Sequence, residues 1–367
     1  MDWESFRDEL AHAAARLGFA GLGVVAAREF TDLAEVLRSR QAEGTYPLFC
    51  ERDVTRRTRP DDWLPGCRSL WVAALPYRAP GALRREGPPS GRGPFGRIAA
   101  YALPEDYHTE MRRRLRVLAR WAAYRAGCSR RHHFRVLVDT GPPVERHLWR
   151  LSGAGWIGKN TCAYAPGAGS WVVLGVIATT LPAPETRTGA EAPPQRMPPD
   201  PCMDCSRCID ACPTGALEPY RMDPNRCIAQ FSQQRGDLGP SERENLHRWL
   251  FGCDICQIAC PCNGPDRAPL AFGQSTPLSP VPGTADRIPL QEILSMSEAA
   301  FQAGLGRGAA SWRGLAHLKR NAAYVLEAYR RRLKASAPAD RPNLLRTPFR
   351  TRPSGAPSPR ASATPGR

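Results

Sequence analysis

Two cysteine runs carry the most legible chemistry in this chain: Cys202-Met-Asp-Cys205-Ser-Arg-Cys208-Ile-Asp-Ala-Cys212-Pro213 and Cys253-Asp-Ile-Cys256-Gln-Ile-Ala-Cys260-Pro261, with Cys227 between them. The first follows the C-x2-C-x2-C-x3-C-P spacing, in which three thiolates grip one iron–sulfur cubane and the fourth reaches across to a second. The second run is one cysteine short, and Cys227 supplies the missing ligand. The crossed scheme gives Cys202, Cys205, Cys208 and Cys260 to one 4Fe-4S cluster and Cys212, Cys227, Cys253 and Cys256 to the other. Structural zinc is the rival, since paired C-x2-C knuckles also bind it, but zinc has no use for the x3-C-P endings. Disulfides fit less well, because the opening Met1-Asp-Trp-Glu-Ser-Phe6 has neither a basic n-region nor an apolar h-region. The remaining cysteines, Cys50, Cys67, Cys128, Cys162 and Cys262, have no partner spacing and read as small thiols in a reducing cytoplasm.

Outside the cysteines, three groups of residues have chemical potential. Asp139 stands at the end of the apolar run Phe134-Arg-Val-Leu-Val and precedes Thr140-Gly-Pro-Pro143. A carboxylate there faces the crevice where open α/β folds bind ligands, and partial burial would raise its pKa toward that of a proton donor; the alternative is that it caps the following helix. Asp106-Tyr107-His108 gathers three proton-active side chains before a helix, where capping and packing are the plainer uses. Gly153-Ala-Gly155-Trp-Ile-Gly158-Lys-Asn-Thr161 fits neither the Walker nor the dinucleotide glycine pattern. Its glycines suit either close approach to a large ligand or a tight turn packed under Trp156.

The elements that must position these groups follow from periodicity. Phe6, Leu10, Ala13 and Leu17 recur at helical spacing, and Thr31 or Asp32 can cap a second helix through Leu37. Ser69 to Leu75 and Ser170 to Ala178 read as buried strands. Met111, Leu115, Leu118 and Ala122 make one apolar stripe, leaving Arg112, Arg113, Arg114, Arg116, Arg120 and Arg125 mostly off it. Strands alternating with helices over 1–185 indicate an α/β sandwich. A Pro-rich connector leads to a two-cluster ferredoxin-like module over 196–265, then a helical segment over 285–335, with Leu290 to Phe301 and His317 to Leu333 helical. Residues 78–96 read as a loop, and the Pro, Ser and Arg-rich tail over 336–367 as disordered. The fold class is therefore α+β. No apolar run reaches the length of a membrane span. The formal charge of +16, with 51 basic against 35 acidic residues, points to a polyanionic partner, although an Arg-rich composition by itself weakens the weight of any single arginine.

Taken in order, Tyr101-Ala102 with Asp106-Tyr107-His108, Val138-Asp139-Thr-Gly-Pro142, Gly155-Trp-Ile-Gly-Lys-Asn-Thr161, Gly169-Ser-Trp171, the first cysteine run and Gly252-Cys-Asp-Ile-Cys256 resemble the epoxyqueuosine reductases over about residues 1–330. The resemblance implies a cytoplasmic enzyme that uses cobalamin and two 4Fe-4S clusters to reduce epoxyqueuosine to queuosine at the wobble position of transfer RNA. It implies Asp139 as proton donor, Asp106, Tyr107 and His108 as polar groups near the corrin, and corrin contacts at Arg57, Ala163, Leu174 and Ser232. A flavodoxin or ferredoxin-type electron donor, no membrane and a monomeric state are expected with it. The transfer RNA grip would fall on the face from Arg112 to Arg125, on the cluster module's basic residues and on Arg313, Lys319 and Arg320. The alternatives are a reductive dehalogenase-like corrinoid enzyme, which gives no reason for a basic surface, and a corrin-free ferredoxin-type carrier.

Overall fold

The computed structural model of the chain describes residues 3–81, 94–183, 201–273 and 275–335. Ser69–Pro76 is apolar without alternation, and every residue in it is buried, as a strand covered on both faces requires. It is an inner strand of a four-stranded sheet ordered Gly21–Ala26, Ser69–Pro76, Val172–Thr179, Phe134–Leu137. Trp71, Ala73, Leu75 and Ile177 pack with helices Trp3–Arg16 and Tyr107–Arg125 on one face. Leu70, Val72, Ala74, Val176 and Ala178 pack with helices Thr31–Ala42 and Glu145–Ser152 on the other. The layered sandwich is as the sequence implies, but every neighbouring pair of strands is antiparallel. Two of the three connections join adjacent strands, with helical insertions that return the chain to the end of the sheet it left. Only the path from Ser69–Pro76 to Phe134–Leu137 crosses the sheet.

Two helix starts differ from expectation. Helix Thr31–Ala42 has Phe30 at its N-cap and no side-chain cap. The helix after Asp139 begins only at Glu145, with Val144 at the N-cap, because Pro142 and Pro143 hold the chain extended before it. Asp139 caps nothing. The stretch from Leu290 to Phe301 is two helices, Leu290–Ser295 and Glu298–Ala303, the second capped by Ser297 Oγ on the Ala300 N–H at 3.1 Å.

A second sheet takes one strand from each stretch of the chain. Phe95–Ile98 is central, parallel to Trp249–Phe251 and antiparallel to Arg287–Pro289, and it includes residues read as loop. Its core joins Ile98, Leu250, Phe251, Leu290 and Phe301 to Leu318 and Ala322 of helix Leu315–Ala335. The cysteine stretch is thus held to the sandwich by pairing as well as by packing. Asn263, fully buried, adds a polar lock: its Nδ2 donates to Ser170 Oγ at 2.7 Å and to the Gln257 carbonyl at 2.8 Å, and its Oδ1 accepts the Ser170 N–H at 2.7 Å. Gly169 has φ +57°, and a Cβ there would run into Asn263 Oδ1. Glycine satisfies both conditions at once. The greater part of the 78–96 loop, the Pro-rich connector and the Arg-rich tail lie outside the described residues. Among the described residues no helix is long and apolar enough to cross a membrane.

Candidate active site and cluster ligands

Asp106 caps helix Tyr107–Arg125 by accepting the His108 N–H at 3.0 Å. The same oxygen lies 2.6 Å from His108 Nδ1. The helix start thereby aims the other side of the imidazole outward, and His108 Nε2 meets Asp139 Oδ2 at 2.9 Å. Tyr107 OH donates to that oxygen at 3.1 Å, and the two rings stack with centroids 4.0 Å apart. The structure therefore brings together Asp106, Tyr107, His108 and Asp139. The rule about strand ends belongs to parallel sheets and does not operate here; Asp139 meets its partners because the crossing helix begins beside its strand.

The protonation of this group differs from the expectation that burial would make Asp139 a weak acid. Burial does push its pKa up, but the His108 and Tyr107 hydrogen bonds and the Arg112 charge outweigh it, and the carboxyl ends below the usual value. Its side chain is 58% exposed while protein surrounds it on most sides, which is the geometry of an open crevice. For His108, burial pushes down, yet the hydrogen bonds and charges of Asp106 and Asp139 raise it to about 9. At neutral pH the proton of the set therefore resides on His108, whose two N–H groups donate to the two carboxylates. Tyr107, desolvated and beside Asp139, is held neutral.

Asp139 itself has φ +49°, a conformation that costs an L-residue energy unless its surroundings fix it. Glu145 Oε1 does so by accepting the Asp139 N–H at 3.0 Å. Burial raises the Glu145 carboxyl to about 8. Arg57, 8% exposed, braces the same loop, donating from Nε to the Pro142 carbonyl at 3.2 Å and from Nη1 to Tyr46 OH at 2.9 Å. Glu145→Leu is expected to speed amide hydrogen exchange at Asp139 about tenfold, the worth of one ordinary hydrogen bond, whereas Glu145→Gln, which keeps the acceptor, leaves it slow. Equal exchange in both variants would show that Glu145 does not hold the turn. Sequence reading passed over Glu145; its place six residues after Asp139 was the available signal.

The other residues of interest lie on three segments. Ala163 is buried in the hairpin Trp156–Ile157 with Ala163–Tyr164. Leu174 packs against the same core from the sheet. Ser232 is fully buried, and its carbonyl accepts from His317 Nε2 at 2.7 Å and Asn321 Nδ2 at 2.8 Å. Tyr101 connects this last segment to Asp139: its OH lies 3.4 Å from Gln233 Oε1, and its ring meets those of Tyr107 and Phe251.

The glycine-rich stretch has a use that spacing did not reveal. A Cβ on Gly155 would meet the Tyr164 carbonyl and the Trp149 ring, so its closeness is to protein. The hairpin it opens then clamps the cysteine loops. Lys159 Nζ donates to the Met203 carbonyl and, at 3.2 Å, to that of Cys205; Asn160 Nδ2 reaches the Cys256 carbonyl at 3.5 Å; the Tyr164 hydroxyl lies beside the Cys260 thiol. The thiols fall into two neighbourhoods. Burial raises Cys208 and Cys260, with Cys202 adding to both. Burial likewise raises Cys227 and Cys253, with Cys212 adding to both, and Cys256 has Cys253 and Cys227 as neighbours. Cys162, read as an isolated thiol, lies beside Cys256. Among the described residues no three His, Cys, Asp or Glu side chains are gathered closely enough to hold a single metal ion.

The basic helix face is partly neutralised. Arg113 and Arg114 pair with Glu110, Arg125 pairs with Glu9, and Arg112 donates to Thr140 Oγ1 at 3.2 Å.

Comparison with known proteins follows the same division of the chain. A family model described as epoxyqueuosine reductase QueG, DUF1730, matches residues 57–140, and one described as a 4Fe-4S double cluster binding domain matches residues 201–263. The epoxyqueuosine reductase of Bacillus cereus is 32% identical over 329 residues, 89% of this chain and 81% of that protein. An epoxyqueuosine reductase crystallised with an epoxyqueuosine-modified tRNA-Tyr stem loop superposes with a TM-score of 0.75 at 26% identity, over 89% of this chain and 82% of its own. The enzyme of Bacillus subtilis, captured with an aspartate-bearing catalytic loop swung out of the active site, gives the same TM-score, identity and coverage.

Proposed function

Because this chain belongs to the epoxyqueuosine reductase family, with 32% identity over most of its length, we propose that it reduces epoxyqueuosine to queuosine at the wobble position of transfer RNA. Membership sets aside the dehalogenase-like and electron-carrier alternatives. One observation supports the reading most directly: Asp139 is linked through Tyr107 and then Tyr101 to the segment that follows Cys227, so a proton source and an electron route converge on one crevice. The double-cluster stretch would hold its clusters on Cys202, Cys205, Cys208 and Cys260 and on Cys212, Cys227, Cys253 and Cys256.

Cobalamin fits the residues around the crevice. The Trp156 indole N–H is buried without an acceptor among the described residues, on the hairpin that carries Ala163, and suits a ligand fringed with carboxamides. Ala163, Leu174 and Ser232 would line it, several through backbone, while Arg57 acts from behind the Asp139 loop. Cobalamin, when bound, supplies the reducing metal centre, and the clusters deliver its electrons singly.

The chain's own residues manage protons. Converting an epoxide to an alkene and water consumes two electrons and two protons, and the departing oxygen needs one of them as its C–O bond breaks. Asp139 is placed to pass that proton, with His108 as its reservoir: Nε2–H gives its proton to Asp139 Oδ2 across 2.9 Å, and Asp106 steadies the imidazole from its other nitrogen. Glu145 and Tyr107 fix Asp139 in place. The relative whose aspartate-bearing catalytic loop is swung out of the active site is in keeping with a mobile loop at Asp139. The test is turnover by the full chain, reconstituted with iron, sulfide and cobalamin and driven by reduced flavodoxin, on transfer RNA carrying epoxyqueuosine. Conversion to queuosine is expected; absence of conversion with both clusters and corrin bound rejects the reading.

A further inference from the structure

Three arginines crowd an open pocket of about 590 Å³ at the C-terminal helix: Arg235, Arg313 and Arg320, with Asp237, His317 and Trp312 also in its wall. Burial lowers the Arg313 pKa, and the charges of Arg235 and Arg320 lower it further. His317 is pushed down to about 4 by burial and the charges of Arg320 and Arg313, so it adds no charge near neutrality. Three guanidiniums thus face one carboxylate, and Asp237 already accepts Tyr324 OH at 2.8 Å. Arg235 has no hydrogen bond or ion pair among the described residues. Such a pocket favours an anion.

Beside it lies an aromatic surface that folding left uncovered. Trp312 is 49% and Phe49 41% exposed, their rings meet edge to face at 5.0 Å, and Arg313 lies over Trp312 at 3.4 Å from its centroid. This surface is anchored to the catalytic crevice. Leu48 N–H donates to Gln230 Oε1 at 3.0 Å, and Arg313 Nε donates to the Gln233 carbonyl at 2.6 Å; Gln233 is the residue that Tyr101 reaches from the Asp139 side. Aromatic rings interleaved with guanidiniums are the means by which proteins hold unpaired nucleotides: a base stacks, and its phosphate is paired.

We infer that Trp312, Phe49 and the arginines Arg235 and Arg313 form a platform that stacks an unpaired nucleotide of the RNA loop and pairs its phosphate, steadying the loop while another nucleotide occupies the crevice. This rests on transfer RNA as the substrate. Arg320 donates to the Gln234 and Gly236 carbonyls, so it shapes the wall and contributes field. Lys319 does not line the pocket.

The experiment measures binding of the full, cluster-loaded chain to two unmodified RNAs, a stem-loop and a blunt duplex of the same stem, by fluorescence anisotropy across a salt series. Trp312→Ala is expected to weaken stem-loop binding about tenfold and to leave duplex binding as it was; Trp312→Phe, which keeps a stacking face, retains most of the affinity. Arg313→Gln is expected to reduce the slope of log affinity against log salt by about 0.7. Stem-loop affinity unchanged in Trp312→Ala, or an equal loss for loop and duplex, overturns the inference. Trp312 is half-exposed and Arg313 partly buried, and unchanged iron content and melting temperature confirm folding. Turnover on epoxide-bearing RNA is read separately. Loop binding through Trp312 without turnover would sink the proposed reaction and keep the platform, and turnover with a binding-neutral Trp312→Ala would do the reverse.

Discussion

Asp139→Asn is expected to leave both clusters in place and to lower turnover by a factor of about 10² to 10⁴, the usual worth of a positioned proton donor. The amide preserves the shape of the carboxylate and can still accept from Tyr107, so loss of structure does not explain loss of rate. It cannot take a proton from His108 and pass it on. The variant has a second signature. His108 is raised to about 9 by two carboxylates, and with Asp139 neutralised only Asp106 remains. Its pKa should then move down toward the ordinary value of about 6.5, visible in the imidazole NMR titration and in the alkaline limb of the residual activity. The sign follows from linkage. Because the folded pKa of His108 is raised, its contribution to stability is complete below about 6.5 and is lost as pH rises through about 9. Asp139, depressed below its ordinary 3.8, contributes above that value and loses its contribution as acid is added. The catalytic arrangement is therefore held best in the neutral range. Full turnover by Asp139→Asn would remove Asp139 from the chemistry, and an unmoved His108 titration would remove the reservoir.

The second large effect concerns the cysteines. Under the crossed assignment, Cys260→Ser should abolish the same cluster as Cys205→Ser, although the two lie in different runs, while Cys256→Ser abolishes the other. Each is expected to cut iron from about eight to about four per chain and to remove one of two reduced-cluster signals in EPR, and each should stop turnover because the relay is broken. Cys262→Ser should keep both clusters. If Cys260→Ser and Cys256→Ser lost the same signal, each run would hold its own cluster and the crossed scheme would fail. Cys162→Ser is the informative neighbour: its thiol lies beside Cys256, so the iron should remain while the potential of that cluster shifts, as the polar surroundings of the ligand sulfurs tune it. A loss of iron in this variant would make Cys162 a ligand.

The cysteine spacings, the helix through Met111 and Leu118 and the buried strand at Ser69–Pro76 were legible because each is a local pattern. A cubane reads three thiolates within seven residues, and a strand covered on both faces is apolar throughout. The three strands of the second sheet were not legible. They are three or four residues long, and their partners lie far away in sequence, so nothing local marks them. The use of Gly155–Thr161 was hidden for a related reason: its glycines answer to Trp149 and Tyr164, and its lysine and asparagine to carbonyls beyond residue 200.

By itself the amino-acid order marked eight thiols as candidate cluster ligands and Asp106, Tyr107, His108 and Asp139 as candidates for proton chemistry. Tertiary structure decided what that second set is. Intrinsic pKa values belong to side chains, but the proton's place depends on burial and on charges a few ångströms away. Folding sets His108 between two carboxylates, so the proton rests on the imidazole and Asp139 stays ionised, the reverse of what its position along the chain suggested. The same folding leaves Trp312 and Phe49 uncovered beside Arg235 and Arg313. That surface exists only where residues from three distant stretches meet.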